Sequence, residues 1–169
     1  VLTVDTEVAA GAWDTAVGWA DLAATAVAAG LAQSTHAHLD RAGYAVEVAV
    51  RLTDDAEVKA LNAQYRHQDK PTNVLSFPMV QPDLLDGLAN SDDGEVLLGD
   101  IVLAYETCAG EAAAKGITLA DHARHLIVHG MFHLLGLDHG DDATAGHMEA
   151  LETAALATLG LADPYAVTD

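Results

Sequence analysis

The sequence predicts an α/β or α+β fold, a small sheet sandwiched with helices, and three observations predict it. Short runs alternate apolar and polar residues or are strongly apolar, as strands do, at residues 1–8, 44–53 and 96–104. Between and after them lie alanine-rich segments with helical spacing, several ending at a glycine. The chain has 169 residues, 51% of them hydrophobic, which suits one domain (1–169) with one sizeable core.

The elements follow in order. Residues 1–8 (VLTVDTEV) read as an edge or half-buried strand. Residues 13–32 read as a helix with Gly30 near its end, carrying Trp13 and Trp19 six apart, at least one of them core. Residues 44–53 (YAVEVAVRLT) are a strand. Asp54 or Asp55 can then cap a helix running to about Arg66, with Val58, Leu61 and Tyr65 as its apolar stripe. After a loop at 67–72, residues 73–80 form a strand that Pro78 stops or keeps at an edge. Residues 81–95 are acidic, rich in turn formers, and read as a surface excursion. The strand at 96–104 is interrupted by Gly99 and Asp100, where glycine implies a bulge or a close backbone approach. Three helices close the chain: 105–115, ending at Gly116; one headed by Thr118 with Asp121, running to about Leu135; and 142–159, ending at Gly160.

Charge and composition exclude several classes. A net charge of −19, from 26 acids against 7 bases, argues against nonspecific binding to nucleic acid or to an anionic membrane. Four of the bases, Arg51, Lys59, Arg66 and Lys70, fall within one 20-residue stretch and make it locally less acidic. The single cysteine, Cys108, excludes an intrachain disulfide and cysteine-based zinc motifs, and it reads as a buried small hydrophobe. The first base is Arg41, so no secretory signal is expected; Leu22–Ala32 is too short to span a bilayer, and a cytoplasmic protein is the expectation.

The chemistry concentrates in residues 129–139, HGMFHLLGLDH. Residues four apart on a helix lie on one face, one turn apart, so His129 and His133 can chelate one ion. Gly136 can end the helix and turn the chain so that His139 supplies a third ligand. Three imidazoles leave a fourth position open, the pattern of a catalytic zinc site rather than a closed structural one. The spacing resembles the metzincin protease signature, with one departure: the glutamate that follows the first histidine there, as general base, is here Gly130. His125, one turn before His129, is either a contact behind the metal or to substrate, or an ordinary helix-face histidine at the core boundary. His122 and His147 read as ordinary, and His36, His38 and His67 have weaker cases still.

The stretch HARHLIVHGMFHLLGLDH (122–139) resembles the signature of the YbeY family of bacterial rRNA-maturation endoribonucleases. LNAQYRHQDKPTNVLSFP (61–78) resembles that family's other hallmark block, LLGDIVLAYET (97–107) a third, and the tail from Met148 and Glu152 through DPY at 163–165 is also similar. The resemblance implies a small, mostly parallel sheet with helices around it, and one zinc ion on His129, His133 and His139. It implies Arg66 as a catalytic arginine, suited by its planar fork of donors to phosphate oxygens. The activity implied is metal-dependent cleavage of single-stranded RNA, in maturation of the small-subunit rRNA 3′ end and ribosome quality control. The partners implied are rRNA and the ribosome or its proteins, with neither membrane nor DNA. Three positions depart from the family pattern: Asn73 stands where Asp is frequent, Phe132 replaces a common Leu, and Leu137 a common Tyr. Asp138 reads as a residue that orients the turn or a ligand histidine. Ser76 can line a cleft. Two rival readings use the same residues: a zincin-like peptidase, and a ribosome-assembly factor whose metal is mainly structural.

Overall fold

The computed structural model describes residues 2–41, 45–81, 84, 95–137 and 141–165. In chain order the elements are β1 (Leu2–Val8), α1 (Trp19–Gln33), a 3-10 turn (Ala37–Arg41), β2 (Ala45–Thr53), α2 (Asp55–Arg66), β3 (Val74–Pro78), β4 (Glu95–Ala104), α3 (Tyr105–Lys115), α4 (Leu119–Leu134) and α5 (Asp142–Thr158). The strands form one sheet in the order β1-β2-β4-β3. β1 and β4 run parallel to β2, and β3 runs antiparallel to β4 at the edge. The result is the α/β architecture that the sequence predicts, with a mixed, mostly parallel sheet.

Alternation along the strands decides which face is covered. β2 turns Val46, Val48, Val50 and Leu52 to one side, where α1, α4 and α5 pack and the main core forms. The other side is covered more thinly by α2, over a small cluster of Val58, Leu75, Val102 and Ala104. β4 keeps Leu98, Ile101 and Leu103 all in the main core, although 98 and 101 are three residues apart. A strict period of two cannot do this. The register against β2 shifts here, so that Glu47 faces Leu97 while the next residue, Val48, faces Gly99. The one-residue bulge resets the alternation. Gly99 adopts φ 153, and a Cβ there would lie 2.4 Å from the Phe77 carbonyl oxygen and 2.7 Å from Leu134 Cδ2. Both readings of this glycine from the sequence, a bulge and a close approach, hold together.

The helix starts use the side chains that the sequence offers. Asp54 accepts from Glu57 N at 2.9 Å and Thr118 from Asp121 N at 3.1 Å, each satisfying an otherwise orphaned amide in a first turn. Asp141 and Thr144 form a reciprocal capping box on α5. α2 and α3 cap each other: Asp55 accepts from Thr107 N at 3.0 Å, and Glu106 accepts from Asp55 N at 2.8 Å.

Three expectations are corrected. α1 begins at Trp19, not at residue 13. The segment before it is tied into turns: Asp14 Oδ1 accepts from Ala16 N at 2.9 Å, and the Trp13 indole donates to the Thr53 carbonyl at 2.8 Å. Trp13 therefore stands off the helix that Trp19 begins, and both are buried, in edge-to-face contact at 5.0 Å. Tyr65 is not part of the buried stripe of α2. That place is taken by Asn62, whose amide donates to the Lys70 carbonyl at 2.9 Å, while Tyr65 is 59% exposed. Most of the acidic excursion at 81–95 lies outside the described residues.

Replacing Gly99 with alanine combines backbone strain with a steric clash on Phe77, and is expected to destabilise the fold by roughly 2–5 kcal/mol. Urea denaturation checks this: the midpoint should fall sharply, with the slope unchanged.

Candidate metal centre and cleft

α4 lies directly against the sheet edge, and a glycine allows it to. A Cβ at Gly130 would fall 2.9 Å from Ile101 Cγ2 and 3.0 Å from Ser76 Oγ. A side chain there would require the Ile101 and Ser76 side chains to shift. The base that a metzincin would carry at this position is absent, and the glycine in its place packs closely on Ile101 and Ser76. The close approach also sets His129 and His133 beside β3.

The two histidines meet as the spacing predicts. Their ring centroids are 4.6 Å apart, and the Nε2 atoms face each other at 3.0 Å. Behind them stands Glu152 of α5, with no exposed surface. His129 Nδ1 donates to Glu152 Oε1 at 2.8 Å, His125 Nε2 donates to the same oxygen at 3.1 Å, and Tyr165 donates to Oε2 at 3.0 Å. Burial pushes the Glu152 carboxyl upward, but the hydrogen bonds from His125 and His129, with their charges, outweigh it and hold the group down at about 2. An ionised carboxylate on Nδ1 keeps the proton there and leaves the His129 Nε2 lone pair aimed at His133. Two converging imidazole nitrogens, one oriented by a buried carboxylate, fit an ion that prefers nitrogen, such as zinc. Among the described residues no group of three His, Cys, Asp or Glu side chains completes a metal cluster. His139 and Asp138 lie outside the described residues.

The histidines open onto a cleft of about 610 Å3 whose lining includes Thr72, Asn73 and Ser76 from the β3 side and Arg66 from the end of α2. The structure thus brings Arg66 together with His129 and His133. Its guanidinium donates to the Ser76 carbonyl and sits 5.5 Å above the Phe77 ring. The wider basic cluster does not assemble around the histidines. Arg51 is paired with Glu57 and with Glu7, and Lys59 approaches Asp69 at 4.0 Å.

The remaining candidates resolve as supports. Asn73 donates through its amide to Glu111 at 3.1 Å, which an aspartate cannot do, and Glu111 also accepts from His122 Nε2 at 2.9 Å. His122 is buried, and burial lowers its pKa. Ser76 is buried against Gly130, facing the cleft. Burial pushes the Cys108 thiol up to about 12, which removes it as a nucleophile at neutral pH. His125 is a contact behind His129, through Glu152. Sequence reasoning noted Glu152 without giving it a role. The available signal was an acid at a core position of α5, spaced with Met148, Ala155 and Leu156 at helical intervals.

Comparison with known proteins gives a consistent picture. The family model described as Endoribonuclease YbeY matches residues 19–160. A Sphingopyxis alaskensis protein named Endoribonuclease YbeY is 63% identical over 169 residues, covering 100% of both chains. A Rhizorhabdus wittichii protein of the same name is 60% identical over 157 residues, 93% of each. The solution structure of TM1509 from Thermotoga maritima superposes with TM-score 0.54 over 98% of this chain and 100% of its own, at 19% identity, a likeness of fold.

Two outcomes follow from Glu152. Glu152→Gln keeps the shape but weakens the hold on His129, so zinc held on the paired imidazoles would bind about 10- to 100-fold more weakly, read by competition with a chromophoric chelator. The carboxyl also couples folding to pH. Its folded pKa of about 2 lies below the ordinary 4.5, so its stabilising contribution is complete above pH 4.5 and lost as pH falls toward 2. The loss is on the order of 3 kcal/mol. Denaturation measured across that window should be steeper in the parent protein than in Glu152→Gln.

Proposed function

Because this chain belongs to the YbeY family, we propose that it is a zinc-dependent endoribonuclease that cleaves single-stranded RNA, in small-subunit rRNA 3′-end maturation and ribosome quality control. The observation that carries this reading is the cleft: a guanidinium and two converging imidazoles line one groove of about 610 Å3. In that lining the described side chains are neutral or cationic, which suits a phosphodiester. His129, His133 and His139 would hold the ion, with Glu152 fixing the first of them. When bound, zinc supplies Lewis acidity toward phosphoryl oxygens.

The other contributions come from the chain's own side chains. Arg66 binds a nonbridging oxygen of the scissile phosphate through its fork of donors, and its bond to Ser76 together with the Phe77 ring below sets its direction. The buried wall of Ser76 and Gly130 closes the groove on the sheet side. RNA, the small subunit and its proteins are the partners of this reading. The peptidase alternative lacks its glutamate base, since Gly130 stands at that position and packs against Ile101 and Ser76.

Purified protein incubated with single-stranded RNA carrying the small-subunit rRNA 3′ end should cleave it, and chelation or His133→Ala should abolish cleavage. Arg66→Ala should lower kcat/KM by roughly 100-fold or more, the scale for removing one donor to transition-state charge. Intact RNA in every condition, with zinc confirmed bound, would reject the nuclease reading in favour of an assembly factor with a structural metal.

A further inference from the structure

Arg66 and Ser76 border a second cavity as well as the histidine cleft. It has a volume of about 810 Å3 and lies on the α2 side of β3, a size that suits a small-molecule moiety. Its walls are apolar and aromatic, from Leu61 and Tyr65 of α2, Phe77 of β3, Met79 just beyond it and Val102 of β4. Two of these large side chains stand in solvent: Tyr65 is 59% exposed and Met79 61%. The Tyr65 and Phe77 rings meet edge to face with centroids 5.5 Å apart, and the Arg66 guanidinium caps Phe77 at the same distance. Polar and charged groups share the lining: Arg51, Glu57, Arg66, Ser76 and Asp100. Arg51 is engaged by Glu57 and Glu7, and burial pushes the Asp100 carboxyl up from its ordinary value.

A flat group with an apolar face and a hydrogen-bonding edge matches this surface, and a nucleobase is such a group. Unpaired bases are held by aromatic faces and arginine planes in this manner. Continuity supplies the rest of the argument. The guanidinium that faces a phosphate in the cleft also forms the rim of the aromatic cavity, so the base next to that phosphate needs to cross only one side chain.

We propose that the cavity between α2 and β3 holds the base of a nucleotide adjacent to the phosphate bound at Arg66, with Tyr65 as its stacking surface. The proposal rests on the endoribonuclease reading and deepens it. It makes the protein select unpaired RNA, because a base engaged in a duplex cannot enter the cavity. It also gives the position of cleavage a dependence on one flanking base.

The test uses the full chain, with and without added zinc, and a short single-stranded RNA scanned with one abasic nucleotide at a time. Binding is read by fluorescence anisotropy, and cleavage on gels. In the parent protein one abasic position should weaken binding about fivefold or more, the loss expected for one stacked base. Tyr65→Ala should weaken intact RNA by a similar factor and erase the penalty at that position alone. Tyr65→Trp should restore both, and because Tyr65 is exposed neither change threatens the fold. An unchanged affinity in Tyr65→Ala, or an abasic penalty that survives it, overturns the proposal while cleavage by the parent leaves the nuclease reading intact; the exposed rim would then belong to a protein partner. RNA that the parent neither binds nor cleaves in either condition removes both readings together.

Discussion

The close contact of α4 with the sheet at Gly130 governs the rest of the arrangement. An ordinary side chain would hold the helix off Ile101 and Ser76. Without one, the helix axis comes close enough for the next residue back and the third residue on, His129 and His133, to overhang the β3 edge. The helical cost of a mid-helix glycine, roughly 1 kcal/mol against alanine, is offset by this packing. The Gly99 bulge serves the same contact from the sheet side, since a Cβ there would lie 2.7 Å from Leu134 Cδ2 of α4. Two glycines from separate elements thus set one distance, between the imidazoles and the edge strand.

The other side of α4 is held by a charge. A buried carboxylate is costly unless it is fully bonded, and Glu152 takes donors from His125, His129 and Tyr165. This is a large polar commitment for a helix interface that a leucine would fill. Its use lies in direction: the bond to Nδ1 sets both the tautomer and the rotation of His129. Tyr165, past the end of α5, completes the set, so the C-terminal turn is part of the same network. Its phenol is held protonated, above the ordinary range, first by burial and then by the carboxylate it serves.

Much of this was legible in the residues. The i, i+4 histidines needed only the helix period, and the caps at Asp54 and Thr118 needed only local chemistry. The Gly99 bulge was marked by a glycine inside an apolar strand. What the sequence did not disclose depends on distant partners. Glu152 is 23 residues from His129, and nothing local says that the two helices meet there. The start of α1 failed for the same reason, because Trp13 is drawn off the helix by a carbonyl 40 residues away. Tyr65 fits the helical stripe in spacing, yet its ring meets the edge-strand ring of Phe77 edge to face and stays largely exposed. Asn62, polar and thus discounted, is the residue that the Lys70 carbonyl draws inward.

Charge is where sequence and structure pull hardest on the functional reading. A chain at −19 repels RNA at low ionic strength. Clustering of four bases in sequence offers a remedy that the fold does not use as a cluster, since carboxylates engage Arg51 and approach Lys59. Arg66 is set apart by its partners: a carbonyl oxygen and an aromatic ring orient it, and neither cancels its charge. Beyond a Debye length of about 8 Å at physiological salt the protein's net charge counts for little, and the local lining decides. The proposed chemistry therefore asks for one well-aimed cation and an ion on the histidines, with aromatic contact supplying the affinity that a basic surface supplies in other RNA-binding proteins. It also implies slow, unsteered encounter with free RNA.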